Sequence, residues 1–282
     1  MILFQSLRIS LPYIYASSGG VYSERSGIVN IALEGMILMS AFTTVITCWY
    51  TGNAWLGVLG GLTGAALIAI IHAVATIRFR VNHIISGIAL NFLSYGLTKF
   101  VLKLVFRSSS NSERIAAALP APLGVPVLVW AAFGIVAINQ FVIFKTRFGL
   151  RLRACGEHPT ACATLGIDVR RYRYMGVLLS GCLAGLAGSW LALDQHQFVE
   201  GMSGGRGYIA LAALIFGRWS PLGAFLASLL FGFAEAAQIA LQTSGFRIPH
   251  QFIQMIPYLL TLFLLVFIRG KYRPPRSLGQ PY

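Results

Sequence analysis

Long apolar runs separated by short polar stretches dominate the chain. The clearest are Ile28–Tyr50, Ala54–Ile77, Ile84–Phe106, Leu123–Phe144, Tyr174–Leu193, Pro221–Leu241 and Phe252–Ile268. A run of about 20 apolar residues is the length at which an α-helix crosses the hydrocarbon of a bilayer. None of the runs alternates with period two, so they predict helices and not strands of a barrel. Two weaker segments, Ile2–Val21 and Tyr208–Phe216, raise the predicted number of spans from seven to about eight or nine. Arg8 and Pro12 weaken the first, and Ser203-Gly204-Gly205-Arg206-Gly207 precedes the second. That glycine-rich stretch predicts a helix broken inside the membrane, its irregular backbone shielded by protein. The expected fold is all-α, a polytopic transmembrane helical bundle forming one domain over 1–282, with no separate soluble unit.

Composition supports this pattern. Of 282 residues, 56% are hydrophobic and 11% charged, against about 25% charged in soluble domains. An ordinary soluble globule and a disordered chain are both excluded. The net charge of +14 raises nucleic-acid binding as a possibility, but its distribution argues for topology. Lys145, Arg147, Arg151, Arg153, Arg170, Arg171 and Arg173 crowd one connection, and Arg269, Lys271, Arg273 and Arg276 crowd the 269–282 tail. Basic clusters beside apolar runs mark cytoplasmic loops and meet anionic membrane lipid. Segment 145–173 and the C-terminus are therefore expected inside the cell, Arg107–Ala121 and Asp194–Ser203 outside, and, with nine crossings, the N-terminus outside. Cys48, Cys155, Cys162 and Cys182 show no CxxC spacing, and thiols in a cytosolic loop stay reduced, so no disulfide or zinc site is expected. No signal-peptide pattern is visible at the N-terminus. Gly57, Gly60, Gly61 and Gly64, and again Gly176, Gly181, Gly185 and Gly188, predict closely packed helices.

No GxxxxGK[ST], HExxH or GxSxG sequence is present. Ionisable groups at membrane depth are costly and so are candidates for function. Asn30 and Glu34, read as one continuous helix, share a face suited to a polar solute; Glu34 equally suits a brace between helices. Asn91 has the same two readings. Glu235 is a partner for Arg206 or for loop backbone. His72 suits a satisfied interior position, and Lys99 and Lys103 suit snorkelling. The basic connection carries the most specific local pattern. Pro159 opens a short helix, Gly166 ends it in a left-handed cap, and Asp168 caps the next helix. A small exposed helix of this kind suits docking into a partner's groove.

Three stretches carry a family resemblance. Ser23 to Met36 (SERSGIVNIALEGM) resembles a signature of bacterial ABC import permeases for nucleosides and simple sugars, a group related to branched-chain amino acid permeases. Arg153-Ala154-Cys155-Gly156-Glu157-His158-Pro159, with Ala161 and Gly166, resembles that group's coupling segment, although His158 replaces Asn, Cys162 replaces Ala and Leu165 precedes the glycine. Gly205 to Trp219 (GRGYIALAALIFGRW), continuing through Ala224, is similar to its third motif. The resemblance covers roughly residues 5 to 270. It implies an inner-membrane subunit with no catalytic site and no cofactor, and with ATP used by a separate cytoplasmic ABC ATPase. It further implies a second, longer permease and an extracytoplasmic solute-binding protein. Gly156, Glu157, His158, Pro159, Ala161 and Gly166 map to ATPase coupling. Asn30, Glu34 and Asn91 fall near the translocation path, with Arg206 and Glu235 as further path candidates. A nucleoside is the first expectation for the solute, then a simple sugar, then a branched-chain amino acid. An ion-coupled transporter relying on Glu34 and Glu235 and an intramembrane enzyme are the competing classes.

Overall fold

The computed structural model describes residues 2–243, 255, 259 and 274–282. The expected span Phe252–Ile268 and the basic residues Arg269, Lys271 and Arg273 lie outside the described residues. In chain order the helices are α1 (Ile2–Arg25), α2 (Leu33–Thr51), α3 (Ala54–Ala73), α4 (His83–Phe106), α5 (Val127–Lys145), α6 (Arg147–Glu157), α7 (Pro159–Thr164), α8 (Val169–Gln195), α9 (Arg206–Phe216) and α10 (Pro221–Thr243). α3 runs on into a π-helical turn, Val74–Arg78. Among the described residues there is no strand, only an isolated bridge between Asn111 and Val199. Six helices among the described residues (α2, α3 with its π-turn, α4, α5, α8 and α10) are long and apolar enough to cross a membrane.

Local chemistry sets the boundaries. Gly52, at φ +66°, turns the chain at the end of α2. The Asn53 side chain then accepts hydrogen bonds from the backbone N–H of Trp55 and Leu56, at 2.8 and 3.4 Å, and starts α3. Asn82 does the same for α4 through Ile84 and Ile85. The apolar run Ile28–Tyr50 is not one helix: residues 26–32 are irregular and α2 starts at Leu33.

α1 and α8 form the middle of the bundle. α1 packs along α8, α9 and α10, while α2 and α3 pack along the other side of α8. Contact this close needs small residues at the crossings, as the two glycine groups predict. A Cβ on Gly188 would stand 2.2 Å from the Ile37 carbonyl oxygen, and one on Gly61 2.2 Å from Ser189 Oγ. Several polar groups in this interior bond to one another across helices. The Tyr15 hydroxyl donates to Leu128 O at 2.5 Å, the Tyr22 hydroxyl donates to Asn139 Oδ1 at 2.9 Å, and Ser17 and Ser228 share a bond of 3.0 Å. His72 is fully buried between Ser86 Oγ and Val29 O, at 3.0 and 3.1 Å.

The bundle has two distinct ends. Arg25, the π-turn, α6, α7, the start of α8, the end of α9 and the 274–282 tail meet at one end, here called the foot. Arg8, the 107–126 connection, Asp194 and the 196–200 segment meet at the other. Lys99 does not snorkel freely: its Nζ lies 2.7 Å from Glu200 Oε1. Lys103 is exposed.

Candidate functional site

The predicted site residues fall into three places, with Asn30 apart from all of them. The first is a cavity of about 330 Å³ where α2, α4 and α9 meet. α9 begins here because Gly201, Gly204 and Gly205 all take positive φ and hold the preceding backbone in tight turns. Its 11 residues rise about 16 Å, roughly half a bilayer core. The helix ends at the foot and so starts about that far in from it, where the glycine-rich stretch interrupts the helical backbone.

Glu34 fixes that start. Its Oε1 accepts the Gly205 N–H at 2.8 Å and its Oε2 accepts the Gly207 N–H at 2.7 Å. A carboxylate thereby satisfies otherwise unpaired donors at the positive end of a helix. A Cβ at position 207 would come within 2.4 Å of Glu34 N, so only glycine allows the approach. Asn91 does equivalent work between α2 and α4. Its Oδ1 accepts the Gly35 N–H at 2.8 Å, while its Nδ2 donates to Ile31 O at 3.1 Å and to the Tyr208 hydroxyl at 3.0 Å. Both residues border the cavity, and both have their polar atoms engaged by protein.

Aromatic residues supply the open surface, and sequence reasoning missed them. Phe92, Tyr95 and Tyr208 line the cavity, and they are 74%, 44% and 48% exposed. Phe92 and Tyr95 stand three apart on α4, which puts them on one face; that spacing beside Asn91 was the available signal. At the rim away from the foot, Tyr95 donates its hydroxyl to Glu200 Oε1 at 2.7 Å. Hydrogen bonds from Lys99 and Tyr95 hold the Glu200 carboxyl below its ordinary range.

The second place separates Arg206 and Glu235 from the cavity. Arg206 Nη2 pairs with Glu235 Oε1 at 3.1 Å, Arg206 Nη1 donates to Met202 O at 3.0 Å, and the Tyr13 hydroxyl donates to Glu235 Oε2. The expected pairing of these two residues is present, and it ties α9 to α10 and α1. Asn30 is also elsewhere. It does not share a helix face with Glu34, because it precedes α2 in the irregular 26–32 stretch. It is fully buried and donates to Ser180 Oγ on α8 at 2.9 Å.

The third place is the foot. Thr146 caps α6 by accepting the Gly149 N–H at 3.2 Å. Pro159 opens α7, Gly166 takes φ +74°, and Asp168 Oδ1 accepts the Arg171 N–H at 3.1 Å to start α8, as the sequence predicted. Gly156 and Glu157 face the protein. A Cβ on Gly156 would meet Arg25 O at 2.1 Å. Its carbonyl accepts from Ser277 N at 2.9 Å and from Ser277 Oγ at 2.6 Å. Glu157 Oε2 accepts the Arg276 N–H at 3.3 Å, and His158 Nε2 lies 3.3 Å from Arg276 Nη1. Gly279 N donates to Gly27 O, and Arg173 Nη1 to Gln280 O, both at 3.0 Å. The outward surface is instead Thr160, Ala161, Ala163, Thr164 and Leu165, the last 78% exposed. Cys155 and Cys162 are buried behind it as free thiols. Burial, followed by the neighbouring Cys162, pushes the Cys155 thiol up to about 12.

A bundle of helices long and apolar enough to cross a membrane, joined by a short apolar helix, is the framework of a membrane permease. Residues 2–268 match the family described as "Branched-chain amino acid transport system / permease component", and the chain belongs to that permease family. It is 39% identical to the guanosine ABC transporter permease protein NupQ of Bacillus subtilis, with 100% of this chain and 96% of NupQ covered. It is 40% identical to the nucleoside ABC transporter permease protein NupC of Lactococcus lactis subsp. cremoris, with the same coverage of both chains. It is 26% identical to a second guanosine ABC transporter permease protein of Bacillus subtilis, NupP, across 95% of this chain and 83% of NupP.

Proposed function

We propose that this chain is one membrane-spanning subunit of an ATP-driven nucleoside importer. The observation that carries this reading is the near-40% identity, over the full length, to two permeases named for guanosine and nucleosides. The likeness to both NupQ and NupP supports pairing with a second, different and longer permease. An ABC ATPase at the foot and a solute-binding protein at the opposite end complete the assembly. The foot gathers Lys145, Arg147, Arg151, Arg153, Arg170 and Arg171, so the positive-inside rule puts it in the cytosol, together with the C-terminal tail. The membrane is then the bacterial inner membrane. In this assignment residues 1–282 form one permease domain with nine crossings, with α9 as the short one and 145–173 as the coupling segment.

ATP binding in the partner draws α7 with it. Pro159, Ala161 and Gly166 shape that helix, while Gly156, Glu157 and His158 hold α6 against the end of α1 and the tail. Motion of the foot thereby reaches α1 and α8, the two helices at the centre of the bundle, and alternates access to the cavity at α9. Such a switch is driven only by the difference in partner affinity between the two states.

The test is uptake by proteoliposomes that hold this chain, its partner permease and the ATPase, supplied with the binding protein. The expected result is accumulation of labelled guanosine that requires ATP and stops when Gly156→Val separates α6 from Arg25. Accumulation of glucose or leucine in place of guanosine contradicts the nucleoside reading. Uptake without ATP, driven by an ion gradient, contradicts the importer reading.

A further inference from the structure

Building on the nucleoside reading, we infer that the cavity between α2, α4 and α9 holds the nucleobase during transfer, and that Phe92, Tyr95 and Tyr208 are the side chains it meets. The polar residues nearest by sequence are already engaged. Both oxygens of Glu34 and both ends of the Asn91 amide are bound to protein groups. They shape the cavity and have little left for a solute.

The aromatic residues are free where the polar ones are not. The Phe92 ring is 74% exposed. The Tyr95 hydroxyl is tied to Glu200, which anchors the ring by its polar end and leaves its face open. The Tyr208 hydroxyl accepts a bond from Asn91, and its own proton remains available to a solute oxygen or nitrogen.

Their depth sets them apart from an ordinary lipid-facing surface. Tyrosine prefers the headgroup level of a membrane, yet Tyr208 stands in the first turn of α9, which begins near mid-depth. A phenol proton facing only hydrocarbon there would lack a partner, at a cost. Phe92 is the neighbour of Asn91, at the same level of α4. The cavity volume of about 330 Å³ lies at the small end of the roughly 300–1,000 Å³ typical of small-molecule sites.

A nucleoside fits these features in a way that a simple sugar or an aliphatic amino acid does not. Its base offers a flat π-face to the aromatic rings, and its edge offers acceptors to the phenol. Stacking of this kind tolerates different bases, because every base has a π-face. A permease lined this way passes nucleosides broadly and leaves fine selection to the external binding protein.

The experiment uses the complete transporter in proteoliposomes, with the binding protein saturated by guanosine, so that the rate reports the permease step. Co-purification of the ATPase checks assembly of every variant. Phe92→Ala and Phe92→Leu are expected to lower the uptake rate about tenfold, while Phe92→Tyr stays within about twofold because the ring is kept. Tyr208→Phe is expected to fall severalfold, with assembly unchanged. If Phe92→Leu keeps the full rate, the ring serves apolar packing and the inference is overturned. Equal loss in Phe92→Tyr and Phe92→Ala also overturns it, because the site then responds to shape and not to aromaticity. A wild-type complex that imports another solute but no nucleoside overturns the reading on which the site rests, a result distinct from either of these.

Discussion

α1 and α4 are both 24-residue helices, yet they invert the usual relation between polarity and burial. α1 carries Ser10, Ser17, Ser18, Ser23 and Glu24, and all are buried. α4 carries Ile84, Ile85, Phe92, Phe100 and Leu104, and all are exposed. In a bilayer the apolar solvent surrounds the protein, so an apolar helix can lie at the edge and a polar helix at the centre. Hydropathy therefore measures contact with hydrocarbon and not importance to the fold. For that reason α1, the helix packed against α8, α9 and α10, is the one its sequence marks most weakly.

The sharpest way to break this contrast is at the acids beside each helix. Glu235 accepts from Tyr13 of α1 and pairs with the half-buried Arg206. Glu235→Ala is expected to cost about 3 kcal/mol by leaving the Arg206 charge without its counter-ion, measured as a lower melting temperature in detergent. Glu200, beside α4, pairs with Lys99 at the exposed rim, and Glu200→Gln is expected to leave that melting temperature unchanged. Its pH dependence is more informative. The native carboxyl titrates below its ordinary 4.5, so its contribution is complete above that value and is lost as pH falls through the lower native one. Protection of the 196–200 amides, corrected for the intrinsic exchange rate at each pH, is expected to hold above pH 4.5 and to fall only below it.

Glycines sharpen the same contrast with opposite signs. A Cβ on Gly19 of α1 would lie 2.8 Å from Ser180 O of α8, whereas one on Gly96 of α4 meets nothing within 4 Å. Gly19→Ala is expected to destabilise by about 2 kcal/mol. Gly96→Ala is expected to stabilise by about 0.5 kcal/mol through helix propensity alone. Equal effects at the two positions would mean that α1 is not the central helix. A local change, between those two in size, is expected at the foot, where Ser277→Ala removes the side-chain bond to Gly156 O and keeps the backbone one. The cost is about 1 kcal/mol, and protease cleavage of the 274–282 tail should quicken.

What could be read from the sequence was whatever local chemistry decides. Pro159, Gly166 and Asp168 specify the turns around α7 by their own backbone and capping preferences. The glycines at 204 and 205 announce the break before α9. The Arg206–Glu235 pair was legible because a charge at membrane depth needs a partner. Roles set by tertiary contacts were not legible. Asn30 looked helical because the apolar run from Ile28 to Tyr50 continues through a backbone that unwinds before Leu33. Glu34 and Asn91 kept two readings, solute ligand or brace between helices, because nothing nearby in sequence showed that Gly205, Gly207, Gly35 and Ile31 engage them. Phe92 and Tyr208 carried no distinct signal in the sequence, because the cavity they line forms only where α9 meets α4.

The account turns on ATP-driven motion entering at α7 from the cytosol. Native Cys155 and Cys162 are buried and unsuited to test this, but Ala163 is exposed on the outer face of α7. The direct measurement is ATP-dependent guanosine transport by the Ala163→Cys transporter, read as uptake by intact cells and as release from preloaded inverted vesicles, after treatment of each with a membrane-impermeant maleimide. Labelling of the introduced thiol and loss of transport are expected only in the inverted vesicles, where the cytosolic face is turned outward. Labelling in intact cells, or full release after complete labelling of the vesicles, would contradict it.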